Sequence, residues 1–334
     1  MSSIPSSLAD FLHQHIPGNH RTSLRTEVLP TLLNAIPSIA NCLRTSLSIS
    51  AAGSTNTSGD TQLNVDLATN EIIHSALRKC ASIVSVSSEE DEGENAVRHD
   101  EGVRPNVKGE EAYTVAFDPL DGSSIIPANW SVGSIIGIWD GSTALNQSPR
   151  EKQIAAILGA LGPRTTAIVA VRLPETKESL CFEVGLADDG SQIRVLRPSV
   201  QFSPIQDVRT RYFAPANLRA AAQIPAYKQL VDYFIANEYT LRYSGGLVPD
   251  VVHALVKGHG IYISPVTVKN KAKLRVLYEV APIALIVECA GGRAVEPTSG
   301  EDILGKSVED VDQRVGLVCG TGEEVGLVIK MLGA

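Results

Sequence analysis

Between residues 117 and 124 the chain reads FDPLDGSS, and Asp118 and Asp121 stand three residues apart at the end of an apolar run. Further acids, Asp60, Asp66, Glu89 and Glu90, fall where expected strands or helices meet loops. Like charges packed together raise one another's pKa unless a cation neutralises them. Oxygen ligands with no His or Cys nearby suit Mg²⁺ or Mn²⁺ rather than zinc. Two such ions about 3.5–4 Å apart hold the attacking and leaving oxygens of a phosphoryl transfer. The turn residues Gly122, Ser123 and Ser124 offer backbone N–H groups that can cradle a phosphate beside the metal. Taken singly, D-x-x-D-G-S is often only a turn, and SSEED is usually a solvated loop. Their joint placement at the ends of apolar elements is what points to metal-assisted phosphoryl chemistry.

Those residues need elements to hold them. Residues 24–48 alternate apolar and polar positions at near-helical spacing, broken by Pro30 and Pro37, which predicts a kinked helix or two short ones. Residues 50–62 read as a loop by composition, 64–80 as an amphipathic helix, and SIVSVSSEED as a short strand running into acids. Residues 91–110 are charged and Gly-rich and read as a mobile loop. AYTVAFD and VGSIIGIWDG read as strands, and TTAIVAVRL, LCFEVGL and SQIRVLR as three more in an antiparallel or mixed sheet. From about residue 206 the pattern alternates. Helices are predicted at 225–236, 247–257, 277–290 and 322–332, with strands at 239–243, 260–264 and 315–319. That alternation predicts helices layered on a second sheet. The expected division is an N-terminal half, 1–205, carrying the metal site, and a C-terminal half, 206–334, binding substrate.

With 334 residues, 43% of them hydrophobic, the chain can bury a large core. Its net charge of −8 argues against nucleic acid or an acidic membrane as the main partner. Five scattered cysteines without a C-x-x-C motif fit reduced thiols in the cytoplasm better than disulfides or a zinc site. No run approaches the roughly 18 apolar residues of a membrane span, and the first residues lack the apolar core of a signal peptide.

The segments GDTQLNVDLATN, SEED, FDPLDGSSI, WSVGSIIGIW, GPRTT, LRYSGGLVPDVVHAL and KAKLRVLYEVAP stand in a telling order. In order and spacing the chain resembles the fructose-1,6-bisphosphatase and sedoheptulose-1,7-bisphosphatase family from about residue 24 onward. NWSVG, GPRTT, YSGGLVPDV and KAKLR are more similar to the sedoheptulose enzymes. The resemblance implies the layered α-β-α-β-α sandwich of an α/β (α+β) fold. It implies metal ligands at Glu89, Asp118, the Leu120 carbonyl, Asp121 and Glu279. Asp66 and Glu90 match the acids that activate the attacking water, and Asp60 a residue of a mobile loop that closes on the site. Asn217, Arg242, Tyr243, Lys273 and Arg275 match the residues that hold the second phosphate. Arg242 resembles a residue reaching into a neighbouring subunit's site, so the resemblance implies at least a homodimer, with a homotetramer as a pairing of dimers.

The leading expectation is Mg²⁺-dependent hydrolysis of the C1 phosphate of sedoheptulose 1,7-bisphosphate, with fructose 1,6-bisphosphate as a second substrate. A cytosolic fructose-1,6-bisphosphatase is the first rival. An inositol-phosphate or nucleotide phosphatase of the wider lithium-sensitive superfamily is another, and a non-catalytic metabolite-binding protein a third. Two departures from the fructose enzymes stand out. Ser264 takes the place of a Tyr that contacts the far phosphate. Ala112 and Asp140 take the places of a Lys and an Arg that hold the phosphate of the inhibitor AMP.

Overall fold

The computed structural model describes residues 7–16, 21–55, 61–107, 109–174 and 179–334. Asp60 lies outside the described residues. Among these, two sheets dominate. The larger has eight strands in the order Ile193–Arg197, Ser179–Leu186, Thr165–Arg172, Gln153–Leu161, Val132–Asp140, Tyr113–Asp121, Ile83–Ser88 and Glu94–Ala96. Only the Ile83–Ser88 and Tyr113–Asp121 pair within it is parallel. The smaller has five, in the order Thr240–Leu241, Tyr212–Pro215, Ile261–Ser264, Leu317–Gly320 and Arg293–Val295.

Three apolar clusters build the layers. The helices Leu8–His15, Leu29–Thr45 and Asn64–Leu77 cover one face of the large sheet, with Phe11, Leu32, Ile36 and Ile73 packed against Phe117, Ile157 and Phe182. The helices Leu247–Lys257 and Ala281–Cys289 fill the space between the sheets, where Val248, Val251, Ile283 and Ile286 meet Ile135, Leu158, Ala214 and Leu317. The helices Pro225–Ala236 and Gly322–Leu332 cover the far face of the small sheet through Tyr227, Phe234, Val325 and Val328. The order is helix, sheet, helix, sheet, helix, as expected. Ala281–Cys289 shows why: every residue but Glu288 is buried, so an apolar helix of this kind needs a sheet on each side.

Several local expectations are corrected. Residues 24–45 form one continuous helix, a π-helical turn at Leu24–Val28 running into Leu29–Thr45. Pro30 sits in the first turn of the α-helix, where its missing N–H costs little. Pro37 stays inside the helix because the face around it, Leu33, Ile36 and Ala40, is buried. Part of the expected loop at 50–62 is strand: Ala51–Thr55 pairs antiparallel with Thr61–Leu63. Part of the stretch 91–110 is an edge strand, Glu94–Ala96, paired with Ile83–Ser88. The helix expected at 277–290 opens with a π-helical turn, Val276–Val280. The strands Gln153–Leu161 and Tyr212–Pro215 have no counterpart in the sequence reading.

Candidate metal centre and active site

Asp118 and Asp121 close the buried strand Tyr113–Asp121. Asp118 pairs with Ile135 but Asp121 with Gly133, so three steps on one strand face two on the other. This bulge breaks the strand's alternation and lets both carboxylates serve one site. Its geometry is tied locally: Leu120 N donates to Asp118 Oδ1 at 2.8 Å, and Ser134 Oγ donates to the Pro119 carbonyl at 2.8 Å. The chain then turns at Gly122, whose φ of +91° favours glycine, into the 3₁₀ helix Ser123–Ala128.

Glu279 reaches the same place from the π-helical turn. Its Oε2 accepts the Arg275 N–H at 2.6 Å. Carboxylate oxygens of Asp118, Asp121 and Glu279 all lie within 4.8 Å of one another, and all three residues are buried. Burial, then Glu89, Asp121 and Glu279, hold the Asp118 carboxyl well above the usual carboxylate range. Burial, then the Glu89 charge, does the same to Glu279. Asp121 is also pushed up by burial, against the pull of the Val248 and Leu247 N–H groups. Three buried carboxyls that resist ionisation together form a cage of hard oxygen donors, the donor set a divalent oxophilic cation needs.

Glu89 sits beside this cage under a counter-charge. Arg275, 1% exposed, donates from Nη1 to the Glu89 carbonyl at 3.1 Å and pairs through Nη2 with Glu89 Oε1 at 3.3 Å. Arg275 thus stands against Glu89 and over the Tyr278 ring, whereas Arg242 and Tyr243 are exposed. Asp66 and Glu90 lie close enough to Glu89 for its charge to act on both. Asp66 Oδ2 accepts the Leu63 N–H at 2.7 Å, and burial raises its carboxyl to about 6, Glu89 adding to the rise. Gln62 Nε2 donates to Glu90 Oε2 at 2.6 Å, and burial, then Asp66 and Glu89, raise Glu90 to about 7 against that bond.

The residues expected to hold the second phosphate stand on or beside different elements. Asn217, at φ +48°, donates to the Pro265 carbonyl at 2.6 Å, next to Ser264. Arg242 is exposed and lies over the Tyr212 ring. Lys273 is exposed as well. Burial raises the Tyr243 hydroxyl's pKa, with the Asp250 charge adding to it.

Sequence reasoning missed the groups that hold the ligands. Val248 N donates to Asp121 Oδ2 at 2.7 Å, at the start of the helix Leu247–Lys257. Asp250 in that helix accepts the Ser244 N–H at 2.7 Å and fixes the loop before it. Ser88, Asn70, His74 and Asp91 bond to one another beside Glu90. A polar residue at every fourth position from 62 to 74 was the available signal.

Two family models of fructose-1,6-bisphosphatase match, the N-terminal domain over residues 11–180 and the C-terminal domain over 206–333. The chain belongs to the fructose-1,6-bisphosphatase family. Its members include sedoheptulose-1,7-bisphosphatases. A chloroplastic one from Chlamydomonas reinhardtii is 35% identical over 96% of this chain and 76% of its own length. A class 1 fructose-1,6-bisphosphatase from Geobacter sulfurreducens is 29% identical over 96% and 95%. A Toxoplasma gondii structure assigned as a sedoheptulose-1,7-bisphosphatase superposes with a TM-score of 0.84 at 33% identity, covering 98% of each chain. The holo form of Leishmania major fructose-1,6-bisphosphatase gives 0.81 at 25% identity, covering 99% of each. Membership makes this chain a phosphoric monoester hydrolase of the sugar-bisphosphate kind. Its buried acid cluster can hold a metal ion.

Proposed function

We propose that this protein hydrolyses the C1 phosphate of sedoheptulose 1,7-bisphosphate with Mg²⁺, or Mn²⁺ in its place, and that fructose 1,6-bisphosphate is a second substrate. The observation that carries the reading is the convergence of Asp118, Asp121 and Glu279 within 4.8 Å, beside the Gly122 turn. Asp118, Asp121, Glu279, Glu89 and the Leu120 carbonyl would hold the metal. Bound there, a divalent ion supplies positive charge that stabilises the transferring phosphoryl group. Asp66 and Glu90, with their raised proton affinity, accept the proton of the attacking water. The N–H groups of Gly122, Ser123 and Ser124 bind the phosphate leaving C1, and Asn217, Tyr243, Lys273 and Arg242 bind the far one. Asp60 assists from outside the described residues.

The seven-carbon preference rests on Ser264 and on the Chlamydomonas likeness. The exposed Arg242, stacked on Tyr212 at the surface, supports a role in a neighbouring subunit's site and so a homodimer, with dimers pairing into a tetramer. Five free thiols support a cytoplasmic enzyme. The half boundary near 205 is part of this reading, the acids lying mainly before it and the second-phosphate residues after it. The test is phosphate release from the two bisphosphates side by side, with and without Mg²⁺, against inositol monophosphate and a nucleotide. Metal-dependent release from the sugar bisphosphates, faster from the seven-carbon one, is expected. Release from the controls alone would overturn the reading.

A further inference from the structure

One face of the helix Asn64–Leu77, with the residue two before it, carries Gln62, Asp66, Asn70 and His74 at every fourth position. Residues four apart lie above one another on a helix. Three of the four grip the acid turn that follows the strand Ile83–Ser88. Gln62 Nε2 donates to the Glu90 carboxylate and, at 3.2 Å, to the Glu90 carbonyl. Asn70 uses both ends of its amide: Oδ1 accepts from Ser88 Oγ at 2.7 Å, and Nδ2 donates to Asp91 Oδ1 at 3.0 Å. His74 Nε2 lies 2.6 Å from Asp91 Oδ2, and its ring meets Phe117 edge-on at 5.5 Å. Ser88 Oγ in turn accepts the Glu90 N–H at 3.2 Å.

We infer that Asn70 and His74 are positioning residues, which hold the Ser88–Asp91 turn so that Glu89 and Glu90 face Asp66. The inference rests on the reading that Glu89 and Glu90 serve the hydrolysis. The geometry carries it in three steps. Asp66, Asn70 and His74 share one helix, so Asp66 and the turn are referenced to the same body. Both Asp91 oxygens are taken by Asn70 and His74, so its part is anchorage. Glu90 is bonded at its carboxylate by Gln62 and at its N–H through Ser88, which Asn70 orients. A solvated polar face would leave these groups to water; here Ser88 and Asn70 are buried and satisfied by each other.

The test uses the full chain with saturating metal and sugar bisphosphate. His74 is partly exposed, so His74→Leu is compatible with folding, and it removes the bond to Asp91. We expect kcat to fall roughly 10–100-fold, the scale of an ångström-level misplacement, with KM changed less than about twofold. His74→Gln keeps an N–H donor and restores most of kcat. Asn70→Ala lowers kcat in the same way. The pair His74→Leu with Asp91→Ala is no worse than Asp91→Ala alone, because that change already cuts the His74 link. Melting temperatures are measured for every variant, since a purely structural role would lower them while leaving kcat of the folded protein intact. Folded His74→Leu with wild-type kcat, or equal losses in the Leu and Gln variants, overturns the inference. Failure of the wild-type enzyme to release phosphate would instead sink the reading beneath it.

Discussion

Asp121 accepts the Val248 N–H at 2.7 Å, so a metal-site carboxylate also caps the helix Leu247–Lys257. The helix end and the cage therefore share one carboxylate. The contact depends on Gly133, the cross-strand partner of Asp121. A Cβ there would lie 2.4 Å from Val248 Cβ, far inside the ~3.5–4.0 Å of a carbon contact. Gly133→Ala should therefore push the helix away, destabilise the fold by about 1–3 kcal/mol, and weaken metal binding by about tenfold, roughly 1.4 kcal/mol. Adding Val248→Gly, which removes that Cβ as well, should recover metal binding. Calorimetric melts and a metal titration of activity check this; a Gly133→Ala enzyme with wild-type metal affinity would count against it.

Much of this site is legible in the sequence, for physical reasons that differ by residue. Asp118 and Asp121 stand out because acids at the end of an apolar strand have no core role. Glu279 does not, since it lies inside VLYEVAPIALIVEC and its partners are far away in sequence. Only the resemblance singled it out. The π-helical turn that aims it leaves no trace, because the apolar pattern runs through it unbroken. Gln153–Leu161 was missed because helices cover both faces of the sheet there, which removes the alternation that marks a strand. The stripe from Gln62 to His74 looks like an ordinary wet helix face until the acid turn is seen against it.

Metal-free protein should lose stability as pH rises. Asp66 goes from 3.8 to about 6 and Glu90 from 4.5 to about 7 on folding. The folded state then binds more protons than the unfolded chain across that interval, so stability present at low pH is lost as each folded pKa is passed. Melts in chelator should show a melting temperature falling between about pH 4 and 7. Saturating Mg²⁺ should reverse the fall, most strongly at the alkaline end. A chelated protein whose melting temperature rises over this range would contradict the acid cage.

Ser264 ends the strand Ile261–Ser264, one residue before the carbonyl that holds Asn217. A tyrosine there would fill space near the far phosphate and supply a hydroxyl donor. Ser264→Tyr should shift kcat/KM toward the six-carbon bisphosphate by about tenfold, roughly 1.4 kcal/mol. Competition between the two substrates measures the ratio directly, and an unmoved ratio would remove Ser264 from the account of specificity.

AMP should not inhibit at millimolar concentration. Asp140 pairs bidentately with Arg21, at 2.7 and 2.8 Å. Glu111 Oε2 takes the Leu24 N–H at the start of the first long helix at 3.2 Å, and the Tyr113 hydroxyl at 2.7 Å. Two carboxylates thus hold the donors that a phosphate would use, and Ala112 supplies no cation. Two lost charge-assisted bonds at about 1.5–3 kcal/mol each weaken nucleotide binding by roughly 10²–10⁴-fold. Half-inhibition at micromolar AMP in a titration at saturating Mg²⁺ would show that the pocket works after all.

The middle helix layer has a consequence for how the chain can be divided. Its core joins Ile135, Leu158 and Ile168 of the large sheet to Val248, Ile283 and Leu317 of the C-terminal half, and the carboxylate cage draws Asp118 and Asp121 from one side and Glu279 from the other. A cut between Arg197 and Tyr212 would separate two fragments, each exposing a full apolar face and holding an incomplete set of ligands. Such fragments, mixed with and without Mg²⁺, should associate more tightly with the metal, and an association unmoved by metal would count against the clasp. The carboxylate cage thus doubles as a clasp between the strand Tyr113–Asp121 and the turn Val276–Val280.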